Sequence, residues 1–123
     1  MNREILNQAL ITMGYRKMDK DIYGKPVGFC IIISKIENDN KVIFKSIFNN
    51  YSKPEEKLVY NSYIAEIDIE FELSNEELYE ICCKIIAYAE IEICVGKAME
   101  TGRKDSTFAF STITDIMSEF SFL

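Results

Sequence analysis

Arg103 and Lys104 are one of two adjacent Arg-Lys pairs in the chain, the other being Arg16-Lys17, and they are the side chains best suited to holding an anion. Arginine presents a planar fork that matches two phosphate oxygens, and lysine adds a compact point charge. The hydroxyls of Ser106 and Thr107 follow closely enough to donate to the same group. Two readings stay open at this pair. One is a phosphate clamp; the other is compensation of a helix dipole, because a long helical pattern precedes the pair and its C-terminal end favours cations. Gly24-Lys25-Pro26-Val27-Gly28 also sets a lysine between glycines. It lacks the glycine spacing, the Ser/Thr after lysine and the following helix of a phosphate loop, so it reads as a turn before a strand. Lys25, with Tyr23 and Arg16, remains a candidate to line a ligand site beside that turn.

Glu66, Asp68, Glu70 and Glu72 alternate with apolar residues. On one strand such carboxylates stand about 7 Å apart, too far for any pair to chelate one ion without help from a neighbouring strand or water. A solvated sheet face, a phosphate-mimicking surface directed at a basic partner, and a weak metal site all fit this stripe. Cys82 and Cys83 are adjacent, while Cys30 and Cys94 sit in apolar runs; this is neither a metal-ligand spacing nor a disulfide framework. They read as small buried hydrophobes in a reducing compartment. Histidine and tryptophan are absent. Without histidine the chain lacks the commonest general base, the commonest metal ligand and every histidine-dependent nucleophilic triad. A binding protein with no cofactor or metal, and not an enzyme, is therefore expected.

These residues need a scaffold, and 123 residues with 48% hydrophobic content suit one globular domain with its own core. The formal charge of -6 repels phosphate backbones, so no nucleic-acid partner is expected. The polar start Met1-Asn2-Arg3-Glu4 and the lack of a long apolar stretch predict no signal peptide, no membrane partner and a cytoplasmic location.

Ile5, Leu6, Ala9, Leu10 and Met13 recur at helical spacing, with Gly14 placed for a left-handed C-terminal residue. Tyr15 to Lys25 reads as a loop with room for a short edge strand. Val27 to Ile36 is apolar on both faces, with Phe29, Ile31 and Ile33 against Cys30 and Ile32, as in a central strand. Glu37-Asn38-Asp39-Asn40 supplies residues that tolerate a left-handed backbone, and Lys41 to Phe48 returns to complete a hairpin. Asn49 to Glu56 is turn-like, and Lys57 to Leu73 alternates with period two. Ser74 and Glu77 fit a capping box that opens a long helix. Its second half carries Ile91, Cys94, Val95 and Ala98 where charges would continue the solvated arc. If the helix runs to Met99, a second copy of the chain is the simplest cover, giving a homodimer or higher oligomer. The competing reading starts a strand at Glu90. Gly102 ends the element, Arg103-Lys104-Asp105 is a turn, Ser106 to Thr112 is a last strand, and Thr114 to Phe120 is a closing helical turn. The expected fold class is α+β: a small antiparallel sheet with an N-terminal helix and a long helix in the C-terminal half, oligomeric.

The opening helix ending at Met13-Gly14-Tyr15, the Tyr23-Gly24-Lys25-Pro26-Val27-Gly28 entry into an apolar hairpin, the long capped helix and the final Phe108/Phe110 segment together resemble phage-encoded Thoeris anti-defence sponge proteins. The resemblance spans the whole chain in length and element order. It implies a viral protein in the host bacterial cytoplasm that sequesters cyclic ADP-ribose isomers made by TIR-domain enzymes, silencing the signal without degrading it. It also implies arginine contact with phosphate and aromatic stacking on the base, for which Arg103 and a nearby aromatic such as Phe108 are the most suitable pair. The alternative is an acidic inhibitor or immunity protein that blocks a basic nucleic-acid-binding enzyme by mimicry.

Overall fold

Arg3–Thr12 forms α1 because Ile5, Leu6, Ala9 and Leu10 fall on one stripe, and all four are buried. In this computed structural model, residues 3–28, 30–49, 57–96 and 102–121 are described, the side chains of 48–49, 57–60, 95–96 and 102–104 excepted. Each large buried side chain on that stripe contributes roughly 1.5–3 kcal/mol. The helix ends as expected at Gly14, whose φ of 94° is open to glycine and costly for other residues. The amide of Tyr15 then bonds back to the Leu10 carbonyl at 3.0 Å.

The polar stretch that follows is a hairpin rather than a loop. Arg16–Asp19 is β1 and Ile22–Val27 is β2, paired antiparallel. Asp21 holds a φ of 58° between them, anchored by its 2.9 Å ion pair with Arg3. Pro26 is tolerated within β2 because β1 pairs only as far as Gly24, leaving no neighbour to need an amide from Pro26.

Cys30–Asn38 is β3 and Lys41–Asn49 is β4. Their turn differs from expectation: Asp21 is the only non-glycine residue with positive φ among those described, and a register shift between Ile36 and Asn38 leaves Glu37 as an extra residue before the two-residue turn Asp39-Asn40. The Asn38 side chain accepts from the Asn40 amide at 3.1 Å. In β3 the apolar faces differ, since Cys30, Ile32 and Ile36 are buried while Ile31 and Ile33 are half-buried; Phe29 lies outside the described residues.

Lys57–Ile69 is β5, shorter than the alternation suggests: Glu70 and Glu72 lie beyond its end, in the connection to the next helix. Asn75–Gly96 is α2, opened by the expected capping box, with the Glu77 amide donating to Ser74 Oγ at 3.2 Å and the Ser74 amide to Glu77 Oε1 at 3.1 Å. The helix thus continues past Glu90, and no strand begins there; Ala98 and Met99 lie outside the described residues. Gly102–Phe110 is β6, so Arg103-Lys104-Asp105 belongs to a strand and not to a turn. Ile113–Glu119 is α3, capped by Thr112 and Asp115.

The sheet order is β1-β2-β3-β4-β5-β6, antiparallel except for the last pair, which is parallel. The expected antiparallel sheet is therefore mixed. A helix between two neighbouring strands returns the chain to the end where it started, so β6 repeats the direction of β5. Both long helices lie on one face. There Leu6, Leu10, Ile85, Ile86 and Ile93 meet Tyr23, Ile32, Phe44, Tyr63 and Ile67 in one core. Tyr88, Phe108, Phe110 and Phe120 close its far end in an aromatic cluster, with ring centroids 5.5–6.4 Å apart. The chain is α+β, and among the described residues no helix covers the other face of the sheet.

Candidate functional site

Residues directly opposite each other on neighbouring strands share a sheet face. Arg16 pairs with Gly24, Gly24 with Ile33, Ile33 with Lys45, Lys45 with Ser62, and Ser62 with Arg103. One row thus crosses all six strands on the open face. Beside it runs a second row, Ile22, Lys35, Ile43, Ile64 and Asp105. Between the rows is a hollow of about 190 Å³ lined by Ile22, Ile33, Lys35, Glu37, Ile43 and Lys45. Its isoleucines are half-buried, and its lysines are exposed. The ion pairs among the described residues join Arg3 to Asp21, Lys25 to Glu90 and Lys41 to Glu66, and none of them engages Lys35 or Lys45. An apolar floor rimmed by two unengaged ammonium groups and one carboxylate, Glu37, carries a net positive charge and suits a ligand with a flat apolar part and an anionic part. At about 4.8 Å per strand, Lys45 stands roughly 14 Å from the Arg16 position and roughly 10 Å from the Arg103 position.

The six residues singled out from sequence do not converge. Arg103 and Lys104 are consecutive in β6, so they occupy opposite sheet faces. Arg103 takes the row of Lys45 and Arg16, whereas Lys104 pairs with Tyr63 in a row that also holds Phe44, Ser34 and Tyr23 on the helix-covered face. Their side chains lie outside the described residues. Ser106 pairs with buried Ala65, again on the covered face. Phe108 is only 2% exposed, with its ring between those of Tyr88 and Phe120. Lys25 donates to both oxygens of Glu90, at 3.0 and 3.1 Å, from beneath α2. Arg16 and Arg103 therefore share the open face, while Lys25, Lys104, Ser106 and Phe108 belong to the other side.

Sequence reasoning missed Lys35 and Lys45. Each sits two positions from an isoleucine on the same face, in Ile33-Ser34-Lys35 and Ile43-Phe44-Lys45, and that signal was readable. Their approach was not, because it depends on the register shift after Ile36.

Elsewhere the chemistry is structural. The Tyr15 hydroxyl donates to Glu90 Oε2 at 3.4 Å, and burial, then the Glu90 charge, pushes its pKa far above the ordinary tyrosine value. Burial pushes the Cys82 thiol up to about 12, which keeps it protonated and a poor nucleophile. Among the described residues, no three His, Cys, Asp or Glu side chains are grouped to hold a metal ion, and no helix is long and apolar enough to cross a membrane. A larger cleft of about 680 Å³ lies between α1 and the start of α2, but its charged lining is Glu76 and Glu80, which repels phosphate. No protein-family model, curated protein or solved structure matches the chain. The site is read from its geometry alone.

Tyr63 gives a test of the buried side. Its hydroxyl is buried and, among the described residues, meets no group at full hydrogen-bond geometry, although the Ser106 hydroxyl lies close to it. Burial, with the Ser106 hydroxyl pulling the other way, pushes its pKa from 10.0 up to about 12. A raised folded-state pKa contributes stability that is complete below pH 10.0 and is lost as pH rises toward about 12, because the unfolded chain ionises first. Tyr63→Phe is expected to flatten this alkaline decline in denaturant titrations while leaving stability at pH 7 unchanged or slightly higher. An equally steep decline in the variant would assign the effect to other groups.

Proposed function

We propose that this chain is a non-catalytic binding protein that sequesters a small phosphate-bearing nucleotide signal of the cyclic ADP-ribose class on the open face of its sheet. By removing that signal it silences a bacterial anti-phage defence from within the host cytoplasm. The observation that carries the reading is the hollow floored by Ile22, Ile33 and Ile43 and rimmed by Lys35, Lys45 and a single acid, Glu37, in line with the Arg16 and Arg103 positions. A chain of formal charge -6 needs such a local concentration of cations to attract an anion. The isoleucines supply a wall for adenine, in place of the aromatic partner that the sequence suggested. At 190 Å³ the hollow matches one base or one sugar-phosphate unit, with the rest of the ligand reaching along the row toward Arg103 or Arg16.

The deciding experiment mixes purified protein with a nucleotide panel that includes cyclic ADP-ribose isomers, removes unbound material, denatures the protein and analyses what is released. Intact ligand is the expected result. A chemically altered ligand would mean an enzyme, and an empty protein would favour a different partner.

That second reading has its own observation. Between Lys57 and Lys84 the chain holds seven acids and no base. All seven, Glu66, Asp68, Glu70, Glu72, Glu76, Glu77 and Glu80, are exposed, running from the end of β5 into the first turns of α2. Such a surface suits an acidic inhibitor that occupies the basic groove of a nucleic-acid enzyme.

A further inference from the structure

The cleft of about 680 Å³ between α1 and the start of α2 is lined by Gln8, Ile11 and Thr12 on one wall and by Glu76, Tyr79 and Glu80 on the other. Its size falls within the range of about 300–1,000 Å³ usual for small-molecule sites. Ile11 is 57% exposed here, while Leu10 beside it is fully buried, so α1 presents a large apolar side chain to the cleft instead of to the core. The Tyr79 and Thr12 hydroxyls bond to each other and tie the two walls together, so the cleft is braced before any ligand enters.

The charge of the cleft has one sign. Glu76 and Glu80 are one helical turn apart on α2, both are exposed, and neither enters an ion pair among the described residues. No lysine or arginine lines the cleft, and residues 4–15 and 58–83, which contain both walls, hold none. The next base along α2, Lys84, lines a separate groove toward α3. Two like charges at this spacing oppose the helix that carries them, and a cation between them relieves the repulsion. The opening of α2 does not offset this as an anion site, because the Glu77 amide is taken by Ser74 Oγ and the Leu78 amide by the Ser74 carbonyl. We propose that the cleft binds a small organic ammonium ion carrying a flat apolar group, an arylalkylamine in chemical class. The carboxylates hold the ammonium, the Tyr79 ring adds the attraction of an aromatic face for a cation, and Ile11 covers the apolar group. A docked helix is a poorer occupant. It needs anchors spread over about 10 Å, whereas Gln8 to Thr12 and Asn75 to Glu80 each rise only roughly 6–8 Å. This site lies on the helix-covered side of the sheet and stands apart from the anion site on the open face.

The chain has no tryptophan, so indole fluorescence in a titration belongs to the probe alone. Tryptamine and indole share a ring and differ in the ammonium group. Fluorescence anisotropy is expected to show tryptamine binding at least about tenfold more tightly than indole, the effect of one charge-assisted contact. The double variant Glu76→Gln/Glu80→Gln should weaken tryptamine at least about tenfold and leave indole near the wild-type value, a split that general damage to the fold would not produce. Glu80→Gln alone should act in the same direction, which keeps the test open if the double variant misfolds. Ile11→Gln should weaken both probes. Equal affinity for the two probes would overturn the proposal, and so would unchanged tryptamine binding in the double variant. Loss in the double variant with no effect of Ile11→Gln would mean attraction to an acidic surface and not a site in the cleft. Binding of a short lysine–leucine peptide where tryptamine fails would give the cleft to a protein partner and also overturn it.

Discussion

Phe108→Ala is expected to destabilise the fold by about 3–5 kcal/mol, the usual cost of emptying a buried phenylalanine site. The ring is 2% exposed and lies 5.5 Å from Tyr88 and 5.9 Å from Phe120, measured between centroids. Its removal opens a cavity between α2, α3 and β6, and α3 has few other anchors: Ile116 and Phe120 are its buried contacts. For a domain of this size such a loss lowers the melting temperature by roughly 10–20 °C. Calorimetry checks the figure. The same substitution distinguishes a packing role from a stacking role for Phe108. At a temperature where the variant is still folded, its affinity for any ligand of the open face should match the wild type. A variant that melts normally yet loses ligand would restore Phe108 to the binding site.

The reason Phe108 looked like a ligand residue bears on how much of this protein is legible in its sequence. Local signals were read well. The α1 stripe, the left-handed Gly14, the Ser74/Glu77 box and the closing helical turn each depend on residues within a few positions of one another. The β1–β2 hairpin was read only as a loop with room for a short edge strand, because the four residues of β1 are all exposed and polar or flexible, so no alternation marks them, and Asp21 supplies the positive φ where glycine is usual. The parallel β5–β6 pair was missed because strand direction is set by α2, an element between them, and not by the residues that pair. The expected clamp turns on the same kind of information. Adjacency in sequence brings Arg103 and Lys104 together on a turn or a helix end, but in a strand it places them on opposite faces. Conversely, Arg16 and Arg103, near opposite ends of the chain, share one row only through five successive registers. Lys25 shows a further limit: a lysine between glycines suggests a ligand, but its partner, Glu90, comes from a distant helix and occupies it.

Lys45→Glu carries the largest expected effect on function. Lys45 is exposed, its cross-strand neighbours are Ile33 and Ser62, and no ion pair among the described residues depends on it. Stability should therefore change by about 0.5 kcal/mol or less, as at most surface positions. Binding should not be spared. A charge-assisted phosphate contact contributes on the order of 1.5–3 kcal/mol, so its loss alone weakens binding roughly 10- to 100-fold, and the new carboxylate adds repulsion. Lys45→Arg, which keeps the charge at the same place, should remain close to wild type. The direct measurement is a calorimetric titration of wild type, Lys45→Glu and Lys45→Arg with the cyclic ADP-ribose isomer recovered from the wild-type protein. Tight binding by wild type and Lys45→Arg, with at least about tenfold weaker binding by Lys45→Glu, is the predicted result. Equal affinity in all three proteins would contradict a site on the open face of the sheet.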